Sequence, residues 1–517
     1  MNFNTYEIKM LIPAFIVRFL LIVFLASTAI PGWAAPSDLD LSFGSGGRVL
    51  TVISPHEDNV RRVRIQSDGK IVTIGHTLGF ALLPDGAFMS RHNSNGTIDT
   101  SFGTNGSILF PYPYLGNFFY LNDFIILPDG KLLVTGPAYQ YGGGSKLSLI
   151  RFNVDGSLDT SFGTNGFAIN QFASEGRKLI RQSDGKVIVV GPLTVVRFNP
   201  DGTLDAGYGT NGYAVPGASF TPDYVVFGGG YVEESIGEVL LQPDGKLLIG
   251  GTVGLADFVV TRLNNDGTLD TGFGSGGSVV RDIDSHPNYL NGMALQPDGK
   301  IVINGLTQTV YEEALESSAI FRLNANGTPD RGFGTNGVVS IVEPSGNSRG
   351  LASALAIQPN GKILTAGMRN GVFALSRYTS NGVIDTSFGL MGVQTSQIGG
   401  TIFSLAIQAD GKIVGAGSGG MELGLTRYLG DPVINVMVSG RVLTPDGTGL
   451  RNAFVTLTDS RGIVRATATS SFGFYSFDNL VAGSTYTIAV SSRRYRYAPQ
   501  SLQVDSNLTN VDFVGLE

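Results

Sequence analysis

Short apolar runs separated by glycine-containing turns fill most of the chain. Residues 246–249 and 258–262 are typical of strands, because apolar residues dominate them and turn residues bound them. Between such runs, Asn199-Pro200-Asp201-Gly202 fits a type I turn with glycine in the left-handed position, which closes a tight hairpin. Helical periodicity with capping residues is not evident in the body of the chain. The pattern therefore predicts an all-β protein of short antiparallel strands.

Three motifs repeat along the chain in a constant order. They are Asp-Gly-Lys or Asn-Gly-Lys, then an arginine followed by an apolar or aromatic residue, then Leu-Asp-Thr-Ser-Phe-Gly in its cleanest form. We interpret the first motif as a turn between two strands. It occurs seven times, 50 to 62 residues apart, and begins at Asp68, Asp129, Asp184, Asp244, Asp298, Asn360 and Asp410.

The spacing between motifs separates a rigid unit from a variable one. Each arginine precedes the aspartate of the next third motif by 8 residues, whereas 13 to 24 residues separate the first motif from the arginine. The constant interval predicts a hairpin with arginine and aspartate opposite each other, and the variable interval predicts a loop that tolerates insertion. The expected structural pairs are Arg91–Asp99, Arg151–Asp159, Arg197–Asp205, Arg262–Asp270, Arg322–Asp330, Arg377–Asp385 and Arg427–Asp40.

Four short strands in each of seven repeats predict a seven-bladed β-propeller over residues 36–430. The last repeat lacks its own third motif, while an unmatched copy stands near the N-terminus at Asp40. We therefore expect the N-terminal strand to complete the last blade, with Asp40 beside Arg427. An open β-solenoid with capped ends is the alternative, and it leaves this complementarity unexplained.

The repeat resembles the delta-60 repeat of bacterial surface and secreted proteins. The resemblance covers residues ~37 to 430 and rests on strings such as Gln-Pro-Asp-Gly-Lys at 242–246 and Ser-Phe-Gly-Thr-Asn-Gly at 161–166. It implies a propeller-like fold and an extracytoplasmic setting, and it implies no activity. Asn360 in place of aspartate, Leu127 in place of glutamine and Tyr208 in place of phenylalanine are conservative departures for a turn motif.

A different pattern follows residue 430 and predicts a second domain at 431–517. Residues 449–457 alternate as a half-buried strand, and about seven short strands suggest a β-sandwich. The region resembles the carboxypeptidase regulatory-like domain, a prealbumin-like or Ig-like sandwich. The resemblance implies an accessory module without catalytic residues, and its wider superfamily makes carbohydrate binding an implied possibility. Arg493-Arg494-Tyr495-Arg496-Tyr497 mixes basic and aromatic residues, as a nucleic-acid or glycan surface does. The resemblance instead implies a strand at this place, where the sandwich family has alternating aromatic residues, and we expect the strand.

The N-terminal segment is typical of a signal peptide. Lys9 and Arg18 precede an apolar run, and small residues follow up to Ala35, so we predict a signal peptide at 1–35. An uncleaved anchor is the alternative, which Arg18 opposes. With the signal removed, the protein is expected to have no membrane span and to be secreted or extracytoplasmic, in the periplasm or at the cell surface.

Composition narrows the function classes. The chain has no cysteine, so it has no disulfide and no cysteine nucleophile, and its net charge of −7 argues against nucleic acid as a partner. The 72 glycines lie mostly at the repeated turns. Asn-x-Asp-Gly-x-x-Asp, as at 199–205, has part of the oxygen-ligand pattern of a calcium loop, so calcium stays a possible cofactor and no other cofactor is expected.

Loops that break the repeat symmetry are the best functional candidates. One repeat carries an aromatic insert that could stack on sugars or peptides, with a self-packed loop as the alternative. Its residues are Tyr112, Tyr114, Phe118, Phe119 and Tyr120. An acidic loop contains Glu312, Glu313 and Glu316, and the histidines are His56, His76, His92 and His286, which lack metal-ligand spacing.

Two functional hypotheses follow from these observations. The first is a secreted or cell-surface, non-enzymatic binding or scaffold protein, whose propeller face loops bind a surface glycan or protein. The second is a metal-dependent propeller hydrolase, such as a lactonase or esterase, which requires convergent carboxylates, amides or histidines at one end of the central channel. Carbohydrate binding through the C-terminal sandwich is a further alternative.

Overall fold

The fold is all-β, and no residue that the structure describes is helical. The structure is a computed structural model, which describes residues 38–516 apart from 79–83, 112–119, 141–143, 171–174, 217–224, 228–229, 233–235, 254–256, 284–287, 309–315, 342–349, 432–434, 460–463, 483 and 505. The expected signal peptide lies outside the described residues. In the part of the chain described, no helix is long and apolar enough to cross a membrane.

In the part of the chain that the structure describes, thirty strands precede residue 430. In chain order they are β1 (Arg48–Thr51), β2 (Glu57–Ile65), β3 (Ile71–Leu78), β4 (Pro84–His92), β5 (Ser107–Pro111), β6 (Asp123–Ile126), β7 (Leu132–Gln140), β8 (Gly144–Phe152), β9 (Phe167–Asn170), β10 (Lys178–Arg181), β11 (Val187–Val190), β12 (Val195–Phe198), β13 (Tyr213–Ala214), β14 (Val225–Phe227), β15 (Gly230–Val232), β16 (Ile236–Leu241), β17 (Leu247–Val253), β18 (Asp257–Leu263), β19 (Ser278–Arg281), β20 (Asn288–Leu295), β21 (Ile301–Gln308), β22 (Glu316–Leu323), β23 (Val338–Ile341), β24 (Ala354–Ile357), β25 (Ile363–Arg369), β26 (Val372–Tyr378), β27 (Val393–Gly399), β28 (Thr401–Ile407), β29 (Ile413–Gly419) and β30 (Glu422–Tyr428).

These strands form propeller-like repeats of four-stranded antiparallel sheets. Sheet 1 is β2–β5, sheet 2 is β6–β9, sheet 3 is β10–β13, sheet 4 is β16–β19, sheet 5 is β20–β23 and sheet 6 is β24–β27. Sheet 7 has the order β1-β30-β29-β28, so its outer strand comes from the N-terminal end of the described chain. The short pair β14–β15 lies in the connection between sheets 3 and 4, and the repeat pattern did not predict it.

Sheet 7 joins the two ends of the repeat region. Arg48 pairs with Thr426 in the β1–β30 ladder, and the Asp40 amide donates to the Arg427 carbonyl at 2.8 Å. The N-terminal strand therefore completes the last repeat, as its unmatched motif predicts. Pairing with this strand satisfies the backbone groups along the outer side of β30, which would otherwise be unpaired.

Apolar side chains pack between neighbouring sheets. One cluster joins Ile74 and Met89 of sheet 1 to Phe124 and Val134 of sheet 2, and all four are fully buried. A second cluster joins Val60 of sheet 1 to β29 and β30 of sheet 7. Middle strands such as β11 are buried at every position, which explains their continuous apolar runs.

The C-terminal domain is a two-sheet sandwich. Its strands are β31 (Asn435–Leu443), β32 (Phe454–Asp459), β33 (Val464–Ala468), β34 (Phe474–Val481), β35 (Ser484–Ser491), β36 (Gln500–Val504) and β37 (Phe513–Val514). One sheet has the order β34-β31-β37 and the other β33-β32-β35-β36. Val438, Val455 and Ile488 are fully buried between them.

Two local predictions for this domain were wrong. The strand expected at 449–457 begins only at Phe454, because Asn452 has a φ of +55° and interrupts an extended backbone. Residues 493–497 were expected on a strand and instead connect β35 to β36, where a single bridge pairs Arg496 with Leu516.

Candidate functional site

One end of the propeller is built from repeated short turns. The connection between first and second strands is a five-residue turn in each sheet, such as 66–70 or 242–246. The backbone amide of Gln242 donates to the Lys246 carbonyl, as this hairpin requires. Third and fourth strands are joined by equally uniform segments such as 153–166 and 199–212. We call this the turn end.

All three repeat motifs converge on the arginine at the turn end. In every sheet, the arginine Nε lies 2.6 to 2.9 Å from an oxygen of its paired aspartate. The lysine of the Asp-Gly-Lys turn lies 2.8 to 3.2 Å from the same aspartate. The guanidinium also stacks 4.4 to 4.7 Å from the centroid of the phenylalanine or tyrosine ring of the third motif. The motifs are therefore parts of one structural cluster.

The first residue of each Asp-Gly-Lys motif holds its own turn. In each copy its side-chain oxygen accepts a hydrogen bond from the lysine amide two residues later, at 3.1 to 3.2 Å. These side chains thus act in the hairpin itself, in the manner of an Asx turn.

The same clusters also connect one sheet to the next. In six sheets the arginine Nη1 donates to a backbone carbonyl in the following sheet, and the six acceptors are Ser94, Val154, Pro200, Asn265, Ala325 and Ser380. The glycine after the aromatic residue adds a backbone bond to the same turn, as between Gly163 and the Asp201 carbonyl at 2.8 Å.

A glycine in each following turn completes the junction. Gly202 has a φ of +92°, and a Cβ there would lie 2.9 Å from the Phe162 ring. Glycine is therefore required both for the left-handed backbone and for this close approach.

Sheet 6 departs from this scheme, because its cluster contacts the carboxylate of Asp431. Among the residues that the structure describes, Arg377 has no carbonyl acceptor of this kind. It instead donates to the Asp431 carboxylate at 2.8 Å, in the segment that leaves the propeller. Asn360 donates to the other oxygen of Asp431 at 2.7 Å, and Lys362 lies 2.9 Å from it. The asparagine at 360 thus replaces the usual aspartate at a place where a carboxylate would face Asp431.

Hydrogen bonds in the clusters keep the aspartates ionised. Burial by itself would raise the pKa of Asp40, but hydrogen bonds from Ser42 and Lys412 outweigh it and lower the pKa to about 2. The same opposing causes lower the pKa of Asp385 to about 2, with Ser387 and Lys362 as donors. These carboxylates are held as structural acceptors.

The opposite end carries the connections that vary. The connections between second and third strands differ in length, from the short segment 370–371 to the longer segment 309–315. The connections between sheets also differ in length, from the single residue 400 to the segment 215–235. We call this the loop end. Four members of the aromatic insert, Tyr112, Tyr114, Phe118 and Phe119, lie outside the described residues, as do Glu312, Glu313 and His286.

Tyr120 is the member of the aromatic insert that the structure describes. It is half-buried just before β6, with its ring edge-on to His76 at 5.8 Å between centroids. The Arg61 guanidinium lies 5.7 Å from the centroid of the same ring. Residues of sheet 1 and of the insert thus form one cluster, which we call the Tyr120 cluster.

The first strands of all seven sheets line a central cavity of about 270 Å³. In sheets 1, 4, 5 and 7 the first strand has a β-bulge, located between Val60 and Arg62 in sheet 1 and between Ile236 and Glu238 in sheet 4. A bulge re-aims the side chains that follow it. Arg62, Glu238 and Ser404 follow bulges and line the cavity.

Charged side chains in this channel are paired with one another. Arg62 lies 3.2 Å from Glu238, and Arg64 lies 3.1 Å from Asp123, which is fully buried. The second oxygen of Asp123 accepts a bond from the Leu179 amide at 3.2 Å. This network joins sheets 1, 2, 3 and 4 through side chains.

Sequence reasoning missed the channel residues. They do not belong to the three motifs, and the bulges that orient them leave no signature in the hydrophobic pattern. The available signal was the cluster of charge in β2, where Arg61, Arg62 and Arg64 lie between apolar residues.

The calcium-like string and His92 make other contacts in this structure. Asp201, in the Asn-x-Asp-Gly string, accepts bonds from the amide and hydroxyl of Thr203, and Asp205 binds Arg197 and Lys186. Burial lowers the pKa of His92 to about 4, and this ring bonds Thr51 at 2.9 Å. Among the described residues, no group of three or more histidine and acidic side chains could hold a metal ion.

Comparison with protein families confirms the two resemblances seen in the sequence. The repeats match the family described as a domain of unknown function (DUF5122) β-propeller, at residues 66–102, 127–162, 182–208, 242–273, 296–333 and 358–388. Residues 437–514 match the carboxypeptidase regulatory-like domain. No curated protein matches the chain significantly.

Three of the similar solved structures each match about three quarters of this chain. A virginiamycin B lyase from Staphylococcus aureus, determined with quinupristin, matches at 12% identity and a TM-score of 0.44, over 74% of this chain and 99% of its own. An α-L-arabinofuranosidase from Fusarium graminearum matches at 10% identity and 0.40, over 75% and 98%. The β-propeller domain of the Trilobed protease from Pyrococcus furiosus matches at 10% and 0.36, over 72% and 94%. At these TM-scores the similarity carries no argument about activity.

Proposed function

The chain combines DUF5122 β-propeller repeats with a carboxypeptidase regulatory-like domain, and from this premise we propose a secreted or cell-surface, non-enzymatic binding or scaffold protein. Its ligand is a surface glycan or a surface protein, bound at the loop end of the propeller. The observation that supports this proposal is the difference between the two ends. The turn end is constrained by the same cluster in every sheet, so sequence variation collects in the connections of the loop end.

The Tyr120 cluster is the described part of the proposed site. A half-buried tyrosine held by a histidine edge and a guanidinium offers an aromatic surface of restricted mobility. Aromatic rings in such settings stack on sugar rings or on peptide side chains. The neighbouring aromatic insert at 112–119 adds four more aromatic residues to the same loop.

Binding assays on the protein lacking residues 1–35 test the proposal. The mature protein is applied to a glycan array and to immobilised surface polymers and surface proteins, together with Tyr120→Ala and a variant whose residues 112–120 are replaced by a Gly-Ser linker. We expect a ligand whose binding falls at least tenfold in both variants. Leu390→Ser is the matched control, because Leu390 is 80% exposed at the turn end.

Two results would contradict the proposal. One is the absence of binding to every surface polymer and protein tested. The other is a stoichiometric metal in the purified protein together with lactonase or esterase activity, which would favour the hydrolase hypothesis.

A further inference from the structure

The segment 493–497 of the sandwich is an ordered connection that holds three arginines at the surface. Ser492 Oγ accepts bonds from the amides of Arg494 and Tyr495 at 3.2 and 3.4 Å, which shapes the turn after β35. The Tyr497 hydroxyl donates to the Leu443 carbonyl at 3.0 Å. The backbone around the arginines is therefore held in place from both sides.

The C-terminal end of the chain supports the same segment. Arg496 and Leu516 exchange two backbone hydrogen bonds, of 3.2 and 2.9 Å. Gly515 lies so close that a Cβ there would be 3.1 Å from both Tyr495 and Tyr497. Three separate parts of the sandwich thus meet under this connection.

The arginine side chains are directed into solvent. Arg493, Arg494 and Arg496 are exposed, whereas Tyr495 and Tyr497 between them are half-buried. Arg494 lies 5.3 Å from the centroid of the Tyr495 ring. In the part of the chain that the structure describes, these three arginines form no ion pair, unlike the arginines of the propeller clusters.

The sandwich differs in charge from the rest of the protein. Residues 437–514 contain no lysine, histidine or glutamate, and their arginines outnumber their aspartates, whereas the whole chain has a net charge of −7. The arginines are Arg441, Arg451, Arg461, Arg465, Arg493, Arg494 and Arg496, and the aspartates are Asp446, Asp459, Asp478, Asp505 and Asp512. A local concentration of cations on an acidic protein favours an anionic partner at this place.

We propose that the segment 493–497 is a binding surface for an anionic polysaccharide, whose carboxylate or sulfate groups pair with the exposed guanidiniums. Guanidinium presents a planar fork that matches such oxyanions with two hydrogen bonds. The interleaved tyrosine rings supply apolar surface for the faces of the sugar rings.

Charge density favours a polysaccharide over a nucleic acid. Duplex DNA carries about one charge per 1.7 Å, and its binding rests on broad basic surfaces. The basic run here is about 10 Å long when extended, and the rest of the protein is acidic. A polymer with one charge on each or every second sugar fits a short patch of this kind.

Paired polymers test the proposal on the full mature protein. Dextran sulfate and alginate provide sulfate and carboxylate groups, neutral dextran shares the first polymer's backbone, and an oligothymidylate represents nucleic acid. The double variant Arg494→Gln/Arg496→Gln is compared with Arg331→Gln/Arg465→Gln, which removes the same charge from two exposed arginines elsewhere. Thermal unfolding verifies that both variants fold.

We expect binding to at least one anionic polysaccharide, no binding to neutral dextran, and weakening as salt rises. Affinity should fall at least tenfold in Arg494→Gln/Arg496→Gln and less than twofold in the control. The double variant Arg494→Lys/Arg496→Lys should restore only part of the lost affinity, because lysine keeps the positive charge but lacks the planar, two-pronged guanidinium.

Three outcomes would overturn the proposal: no binding to either anionic polysaccharide, an equal loss in the control, or tighter binding of the oligothymidylate. Tyr120→Ala should leave this binding unchanged, so the outcome is independent of the ligand proposed for the loop end.

Discussion

Replacing Asp40 by asparagine tests how the two ends of the propeller are joined. Asp40 accepts bonds from Arg427 at 2.9 Å and from Ser42 at 2.6 Å, and it lies 3.1 Å from Lys412. Arg427 is 387 positions from Asp40 in sequence, so this cluster holds the N-terminal strand on sheet 7. Asparagine keeps the size of the side chain and removes the charge.

The expected loss in the free energy of unfolding follows from the pKa of Asp40. This pKa is about 2 in the folded protein, whereas its ordinary value is 3.8. Each pKa unit corresponds to about 1.4 kcal/mol, so ionised Asp40 contributes about 2 kcal/mol at neutral pH. Because the folded pKa is lowered, this stability is complete above pH 4 and is lost as pH falls through about 2. The free energies of unfolding of wild type and Asp40→Asn should therefore converge towards pH 2.

Hydrogen exchange locates the effect. Opening of β1 should become easier by about 2 kcal/mol in Asp40→Asn, so the amides of Arg48–Thr51 that bond β30 should exchange about 30-fold faster. Asp385→Asn is the matched control, because its pKa is also about 2 and its partner Arg377 lies 8 residues away in the same hairpin. It should destabilise sheet 6 and leave β1 protected.

Two results would refute this reasoning. Unchanged exchange of β1 in Asp40→Asn would show that the charged cluster does not hold the N-terminal strand. Equal acceleration of β1 in Asp385→Asn would show that the clusters act only through global stability.

Three further predictions concern single positions. Gly202→Ala should cost about 2 to 4 kcal/mol in chemical denaturation, whereas Gly447→Ala, with a φ of +85° but open space around it, should cost only about 1. Asn360→Asp should lower the free energy of unfolding by about 1 to 3 kcal/mol, since it replaces a donor to Asp431 by a second carboxylate, and thermal unfolding at neutral pH measures the loss. His92 has a pKa of about 4 when folded and 6.5 as its ordinary value, so wild-type stability should fall by about 3 kcal/mol between pH 6.5 and 4, and His92→Asn should flatten that part of the pH profile.

Much of the repeat architecture could be predicted because its information is local. The constant interval from Arg151 to Asp159 predicts a hairpin, and the structure contains that hairpin with the two side chains in contact. The unmatched motif at Asp40 predicts the joining of the chain ends, since only one arginine lacks a partner downstream. The convergence of lysine and phenylalanine on the same arginine was not predicted, because it depends on how two hairpins of one sheet pack together.

The least predictable features depend on sheets that are distant in sequence. Arg62 meets Glu238 only because first strands from different repeats surround one channel and bulges turn their side chains inward. Asn360 looked like a conservative change in a turn until Asp431 was found opposite it. The segment 493–497 was expected on a strand, because the sandwich family that it resembles has alternating aromatic residues on a strand at this place.

The sequence by itself determined the hairpins, the number of motif copies and the pairing of the two ends of the repeat region. Each of these rests on fixed short intervals and on turn residues with specific backbone preferences. Only the tertiary structure decided which charged side chains meet in the channel, which turn contacts the next sheet, and which arginines of the sandwich stay in solvent. These outcomes arise from contacts between segments tens to hundreds of residues apart. They depend on sheet packing and on bulges, which the pattern of apolar and polar positions does not encode.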